Sequence, residues 1–137
     1  MYEENESIRI GRISRAMERA LGLSLPSDVN IYMTGKDLDA LAKKRPDSYL
    51  KAVSEIAFIC KQPDFVSFDE AKQRFYFLRL YFKNEVFSAV WITVSLQGSP
   101  QKWRYETIGS SAGFSLKQAL PGLGFVRPDW KNTKTHA

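Results

Sequence analysis

Between Gln73 and Ile108 the chain reads QRFYFLRLYF, VFSAVWITVSL and KWRYETI, three runs rich in β-branched and aromatic residues parted by short polar breaks. That pattern predicts strands. The breaks, Lys83-Asn84-Glu85 and Gln97-Gly98-Ser99-Pro100-Gln101, are too short to hold a crossover helix, so successive strands should pair antiparallel as a meander. Phe65-Val66-Ser67-Phe68, joined to the next run through Asp69-Glu70-Ala71-Lys72, adds a strand at the start.

The N-terminal half carries a helical period instead. Ile10, Ile13, Met17 and Leu21, flanked by Ala16 and Ala20, recur at three- and four-residue spacing and predict an amphipathic helix from Ile8 to Leu21, closed by Gly22. Val29 to Met33 reads as a short extended segment and a candidate edge strand. Thr34 with Asp37 three residues on forms a capping box with Asp in place of Glu. The helix it opens turns Leu38, Leu41 and Ala42 inward and stops before Pro46. From Asp47 another helix places Leu50, Val53, Ile56, Ala57 and Cys60 on one side and ends before Pro63. The expectation is an α+β fold, N-terminal helices packed on a four-stranded antiparallel meander sheet. A single domain spans residues 1–137: a helical part over 8–62, the sheet over 65–108 and a C-terminal tail over 109–137.

Alternation along the strands sorts side chains by face. Tyr76, Leu78, Leu80 and Phe82 share one side of their strand, and Val86, Val90, Ile92 and Val94 one side of the next. With these apolar sets against the helices, Arg79, Tyr81, Trp91 and Thr93 are left on an open face. The last strand alternates Trp103, Tyr105 and Thr107 against Lys102, Arg104 and Glu106, and a one-residue register change decides which set joins that face. Phe125, Val126 and Trp130 are candidates to fold back over it.

Composition narrows the chemistry. A chain of 137 residues, 44% hydrophobic and 26% charged, can bury a core without disulfides or metal. The opening MYEENESIRI is acidic and polar where a signal peptide is basic and then apolar, and no apolar run approaches membrane-spanning length, so a cytoplasmic protein with no membrane partner is expected. Cys60 is the one cysteine, which excludes an internal disulfide and a zinc-ribbon site and suits a buried helix position. His136 is the one histidine, in a basic polar tail, so imidazole catalysis is excluded. The Gly109–Gly113 stretch lacks the lysine of a phosphate-binding loop and reads as a turn. No cofactor or metal is expected. The net charge of +5 suits either a polyanion partner such as RNA or a plain solvated surface. Arg12, Arg15 and Arg19 form one basic row; Lys43, Lys44 and Arg45 form another group at a helix C-terminus, where cations either answer the macrodipole or make an anion site.

Several of these features occur together: N-terminal helices, the basic helix end Lys44-Arg45-Pro46-Asp47, the stretch EIAFICKQPDFV from Glu55 to Val66, and a meander ending in Thr107. From Ile31 to Ile108 the layout resembles the phage-associated nucleases and toxins of the barnase, EndoU, colicin and RelE superfamily. Its most specific piece is the junction Pro63-Asp64-Phe65-Val66. The resemblance implies a metal-independent ribonuclease, a hydrolase in which Arg45 and Arg79 meet the charge on the reacting phosphate and Thr107 binds a phosphate oxygen. Lys44, Glu106 and Tyr81 are its candidate bases, and Lys43, Tyr81, Trp91 and Arg104 its candidate nucleic-acid contacts, with Tyr105 a further stacking ring. Members carry a histidine before the proline and acidic residue, where this chain has Arg45, so catalysis is histidine-free or lost. Two other readings stay open. One is a phage-type inhibitor or antitoxin-like module that grips a host protein through a basic, aromatic sheet face; the other is a nucleic-acid binder that does not cleave. What separates them is whether the helix-end cations and those of the sheet converge in one cleft.

Overall fold

β-Branched Ile8 and Ile10 on either side of Arg9 favour extended backbone, and Gly11 disfavours a helix interior by about 1 kcal/mol. The segment expected as one helix from Ile8 to Leu21 therefore divides into a strand, β1 (Ser7–Arg12), and a short helix, α1 (Arg15–Leu21). Ser14 is the N-cap, its hydroxyl accepting the Met17 amide at 3.3 Å, and Gly22 closes the helix in the left-handed region at φ 67°. The computed structural model describes residues 7–25, 29–44, 46–98, 101–112, 120 and 122–128.

β2 (Asn30–Thr34) leads into α2 (Gly35–Lys44) through the expected capping box. Thr34 donates its amide to Asp37 at 3.0 Å while the Asp37 amide returns to the Thr34 hydroxyl at 3.2 Å. α3 (Tyr49–Lys61) turns Ala52, Ile56, Ile59 and Cys60 into the core; Leu50, expected inside, is 64% exposed. The meander follows as β3 (Phe65–Asp69), β4 (Arg74–Lys83), β5 (Val86–Gln97) and β6 (Lys102–Ala112).

The α+β class holds, but the sheet is neither four-stranded nor wholly antiparallel. It is a six-stranded mixed sheet in the order β1-β2-β6-β5-β4-β3. β2 lies parallel to β6 at Ile31–Trp103 and Tyr32–Arg104, and β1 pairs antiparallel on the far side of β2. Burial of Ile31 and Met33, alternating with half-buried Asn30, Tyr32 and Thr34, is what makes the short extended segment an internal strand. Val126 forms an antiparallel bridge to Val66 at the outer edge of β3, so among the described residues of the tail the fold-back adds to an edge. Trp130 lies outside the described residues.

The three helices cover one face of the sheet. Phe75 and Phe77 of β4, Ile92 and Val94 of β5, and Trp103 and Tyr105 of β6 pack there against Met17, Leu38, Leu41, Ile56 and Ile59. The Phe75 ring meets Trp103 at 4.9 Å and Phe68 at 4.6 Å between centroids, aromatic contacts that anchor this layer. The other face, here the outer face, carries Tyr76, Leu78, Leu80 and Phe82, which register with Thr93, Trp91, Ala89 and Phe87. This reverses the expected facing of β4: Arg79 registers with Val90 and Tyr81 with Ser88, on the helix side. A β-bulge settles β6. Val94 pairs with Tyr105 but Thr93 with Thr107, leaving Glu106 as the extra residue. Tyr105 therefore faces the helices while Thr107 faces outward.

Candidate nucleic-acid interface

Of the expected convergence of Arg79, Arg45 and Thr107, the pairing of Arg79 with Thr107 does not form: Arg79 registers with Val90 on the helix side and Thr107 with Thr93 on the other. Arg79 lies at the C-terminal end of α3, where its guanidinium donates to the Gln62 carbonyl at 2.5 Å and covers the Phe58 ring at 4.5 Å. Lys44 lies beyond the opposite end of α3, and a helix of that length separates its ends by roughly 20 Å. Arg45 is outside the described residues. Tyr81 shares the Arg79 side of the sheet, and burial, with Glu55 as the next contributor, raises its phenol above the usual range. A phenol so shifted keeps its proton, which argues against Tyr81 as a base.

Two of the expected residues do meet. Lys44 and Thr107 line one groove of about 350 Å³ with Asp37, Leu41, Tyr105 and Glu106. Lys43 is exposed beside Lys44 at the end of α2. Thr107 is held in place by Thr93: the two hydroxyls are 2.7 Å apart, and the Thr107 amide donates to the Thr93 oxygen at 3.1 Å. Arg12, Arg15 and Arg19 line a different groove, of about 510 Å³, together with Glu18.

The outer face holds a pattern that no single strand shows. Arg9, Tyr32, Arg104, Ser95, Arg74 and Asp69 are registered neighbour to neighbour across all six strands. Registered residues share a face, so three arginines and a tyrosine lie in one transverse row, successive arginines two strands and about 10 Å apart. Lys102 joins them with its ammonium 4.8 Å from the Tyr32 ring centroid. Arg104 donates to the Gln97 carbonyl at 3.3 Å, and Arg9 to Asn30 at 3.3 Å. Arg74 is bound to the bulged Glu106 by two parallel bonds, 2.6 Å from Nε and 3.0 Å from Nη2, with the Tyr76 hydroxyl 3.5 Å from its third nitrogen. Those bonds, Glu106 first, hold the Arg74 proton more firmly than in a free arginine.

Of the expected nucleic-acid contacts, Arg104 and Trp91 lie on this face and Tyr81 does not. Trp91 registers with Gly109, where an added Cβ would come 2.5 Å from the indole, so only glycine lets the ring lie down on β6. Further along, the Phe82 and Phe87 rings meet at a tilt, 4.7 Å apart between centroids, at the β4–β5 hairpin end, 62% and 54% exposed. Arg9, Tyr32, Lys102 and Arg74 were not singled out from sequence. Arg74 was within reach: a two-residue turn at Asn84-Glu85 fixes the hairpin register, which puts Arg74 opposite Ser95 and Arg79 opposite Val90. Arg9 and Tyr32 had no such signal, because nothing local announces a parallel pairing between β2 and β6. Among the described residues, no cluster of three or more His, Cys, Asp or Glu side chains could hold a metal ion, and no helix is long and apolar enough to cross a membrane. Compared with known protein families, curated proteins and solved structures, the chain matches none of them.

Proposed function

We propose that the chain binds single-stranded nucleic acid, RNA in the first instance, along the outer face of the sheet. The observation that carries this reading is the transverse row of Arg9, Tyr32, Arg104 and Arg74. Arginine forks suit phosphate oxygens, and a tyrosine between them offers a stacking surface to a base. On the β1, β2 and β6 part of the row the cations Arg9, Lys102 and Arg104 make no ion pair among the described residues.

The test is fluorescence anisotropy with a fluorescein-labelled oligouridine over a range of salt. Three phosphate contacts should give a log–log slope of roughly −2, and Arg9→Ala or Arg104→Ala should each flatten it by about 0.7. An affinity that does not change with salt, or that neither variant changes, would remove the reading and leave the exposed hairpin end of Phe82 and Phe87 as a protein-docking surface.

Cleavage is a second reading, favoured by one arrangement: Glu106, Arg74, Tyr76 and Thr107 lie together on that face. Glu106 would take the proton of a ribose 2′-hydroxyl as it attacks the adjacent phosphate; the bond from phosphorus to the 5′-oxygen breaks, leaving a 2′,3′-cyclic phosphate and a 5′-hydroxyl protonated by water, while Arg74 would meet the charge on the phosphate oxygens, the role first assigned to Arg79. Incubation with total RNA in EDTA tests it. Glu106→Gln should abolish cleavage while the salt slope of binding stays, whereas an intact substrate with the parent protein leaves binding alone.

A further inference from the structure

β6 has a strand on both sides only near its start. β2 meets it at Trp103 and Arg104 and ends at Thr34, while β6 runs on to Ala112. Among the described residues, no backbone bond reaches residues 107–110 from the side away from β5. An antiparallel strand turns its backbone groups alternately to one neighbour and the other, so half of the N–H and C=O groups of residues 107–110 point to where a further strand would lie. The groove of about 350 Å³ occupies that place. It is lined by Tyr105 and Ile108 from the helix side of β6, by Thr107 from the outer side, and by Ala40, Leu41 and Lys44 of α2 across from them. The other edges of the sheet are protected: β1 carries Arg9, Arg12 and an irregularity, and Val126 bridges β3. Thr107, Ile108, Gly109 and Ser110 bear no charge and include no proline.

The two carboxylates of this groove are already engaged, Asp37 by the Thr34 amide and hydroxyl and Glu106 by Arg74. Lys44 and its neighbour Lys43 are exposed and make no ion pair among the described residues, and the end of α2 answers them with only about half a negative charge. The charge left over is positive. We propose that an extended acidic segment of a partner protein adds to the sheet here as a strand beside β6, its backbone bonded to residues 107–110, its apolar side chains against Leu41 and Ile108 and a carboxylate on Lys44. A second copy of this chain would bring the same two lysines to the same edge. The site stands whether or not the outer face binds RNA.

Fluorescence anisotropy of the full chain with fluorescein-labelled peptides of alternating valine and glutamate, or of alternating valine and lysine, tests the charge. The glutamate peptide should bind about fivefold or more tightly than the lysine peptide, and Lys44→Glu should remove that preference. Methylating the backbone nitrogens of the glutamate peptide tests the pairing: methyls on one alternate set of residues should weaken binding about tenfold, and methyls on the other set should leave it unchanged. Hydrogen exchange reads the same edge from the protein. Half of the amides of residues 107–110 should exchange rapidly in the free chain and slow about tenfold or more under saturating glutamate peptide. Equal affinity for the two peptides, equal loss from both methylation patterns, or exchange at residues 107–110 indifferent to the bound peptide overturns the proposal. Arg104→Ala should leave peptide binding intact even where it lowers affinity for oligouridine; a loss equal to that from Lys44→Glu would place the peptide on the arginine row and overturn the site as well.

Discussion

Cys60 has no exposed surface, and burial pushes its thiol up to about 12. Only the thiolate attacks a thiol reagent, so native protein should leave Cys60 unmodified at pH 8 and react only on unfolding. The same burial sets a pH dependence. The folded pKa lies above the unfolded one, so the contribution of this thiol is fully present below about pH 8.5 and is lost progressively as pH rises toward 12. Within that window the unfolding free energy should fall by up to about 1.4 kcal/mol per pH unit more steeply in the parent than in Cys60→Ala, as read from urea titrations at several pH values. Parallel curves would show that the thiol meets solvent. The burial of Cys60 was legible from composition and helical period alone, whereas the surroundings of Arg79 were not: an arginine in a strand reads as open surface unless the helix end it covers is known.

At the scale of elements, local chemistry was the legible part. The capping box at Thr34, the glycine stop at Gly22 and the hairpin breaks all lie where short-range rules put them, because each depends on neighbours in sequence. Faces were harder. In β4 one alternating set is apolar or aromatic from Tyr76 onward and the other begins with Phe75 and Phe77, so hydrophobicity could not choose between them; the tight Asn84-Glu85 turn, with φ of 53° and 62°, makes the choice. The outcome gives Arg79 a structural task, tying β4 to the carbonyl of Gln62, the C-cap of α3, and bracing Phe58. Arg79→Ala should lower the unfolding free energy by about 1–2 kcal/mol and leave the salt slope of oligouridine binding unchanged. Unchanged stability with weakened RNA binding would return Arg79 to the interface.

For the whole molecule, what sequence could not supply was the joining of the N-terminal hairpin to the meander. β4 and β5 register along the full length of β4, but β2 meets β6 only at Ile31–Trp103 and Tyr32–Arg104. A pairing between segments so distant in the chain, and so brief, leaves no local trace, yet it is what brings Arg9 and Tyr32 into one row with Arg104 and Arg74. The row is thus a property of the assembled sheet, and its arginines sit on strands of unequal security. β1 is an edge strand held from below by α3, where a Cβ added at Gly11 would come 3.7 Å from that of Cys60. Such elements open with a smaller free energy than the central strands. Native-state hydrogen exchange should show amides of Phe77 and Ile92 exchanging only with global unfolding, while those of β1 exchange at least about tenfold faster through a local opening. Binding of oligouridine, which would bridge Arg9 to Arg104, should slow exchange in β1 and leave Phe77 and Ile92 to follow the global stability alone. Equal protection of β1 and β5 in the free protein would mean that α3 locks the hairpin to the core, and the row would then be preformed before any strand arrives.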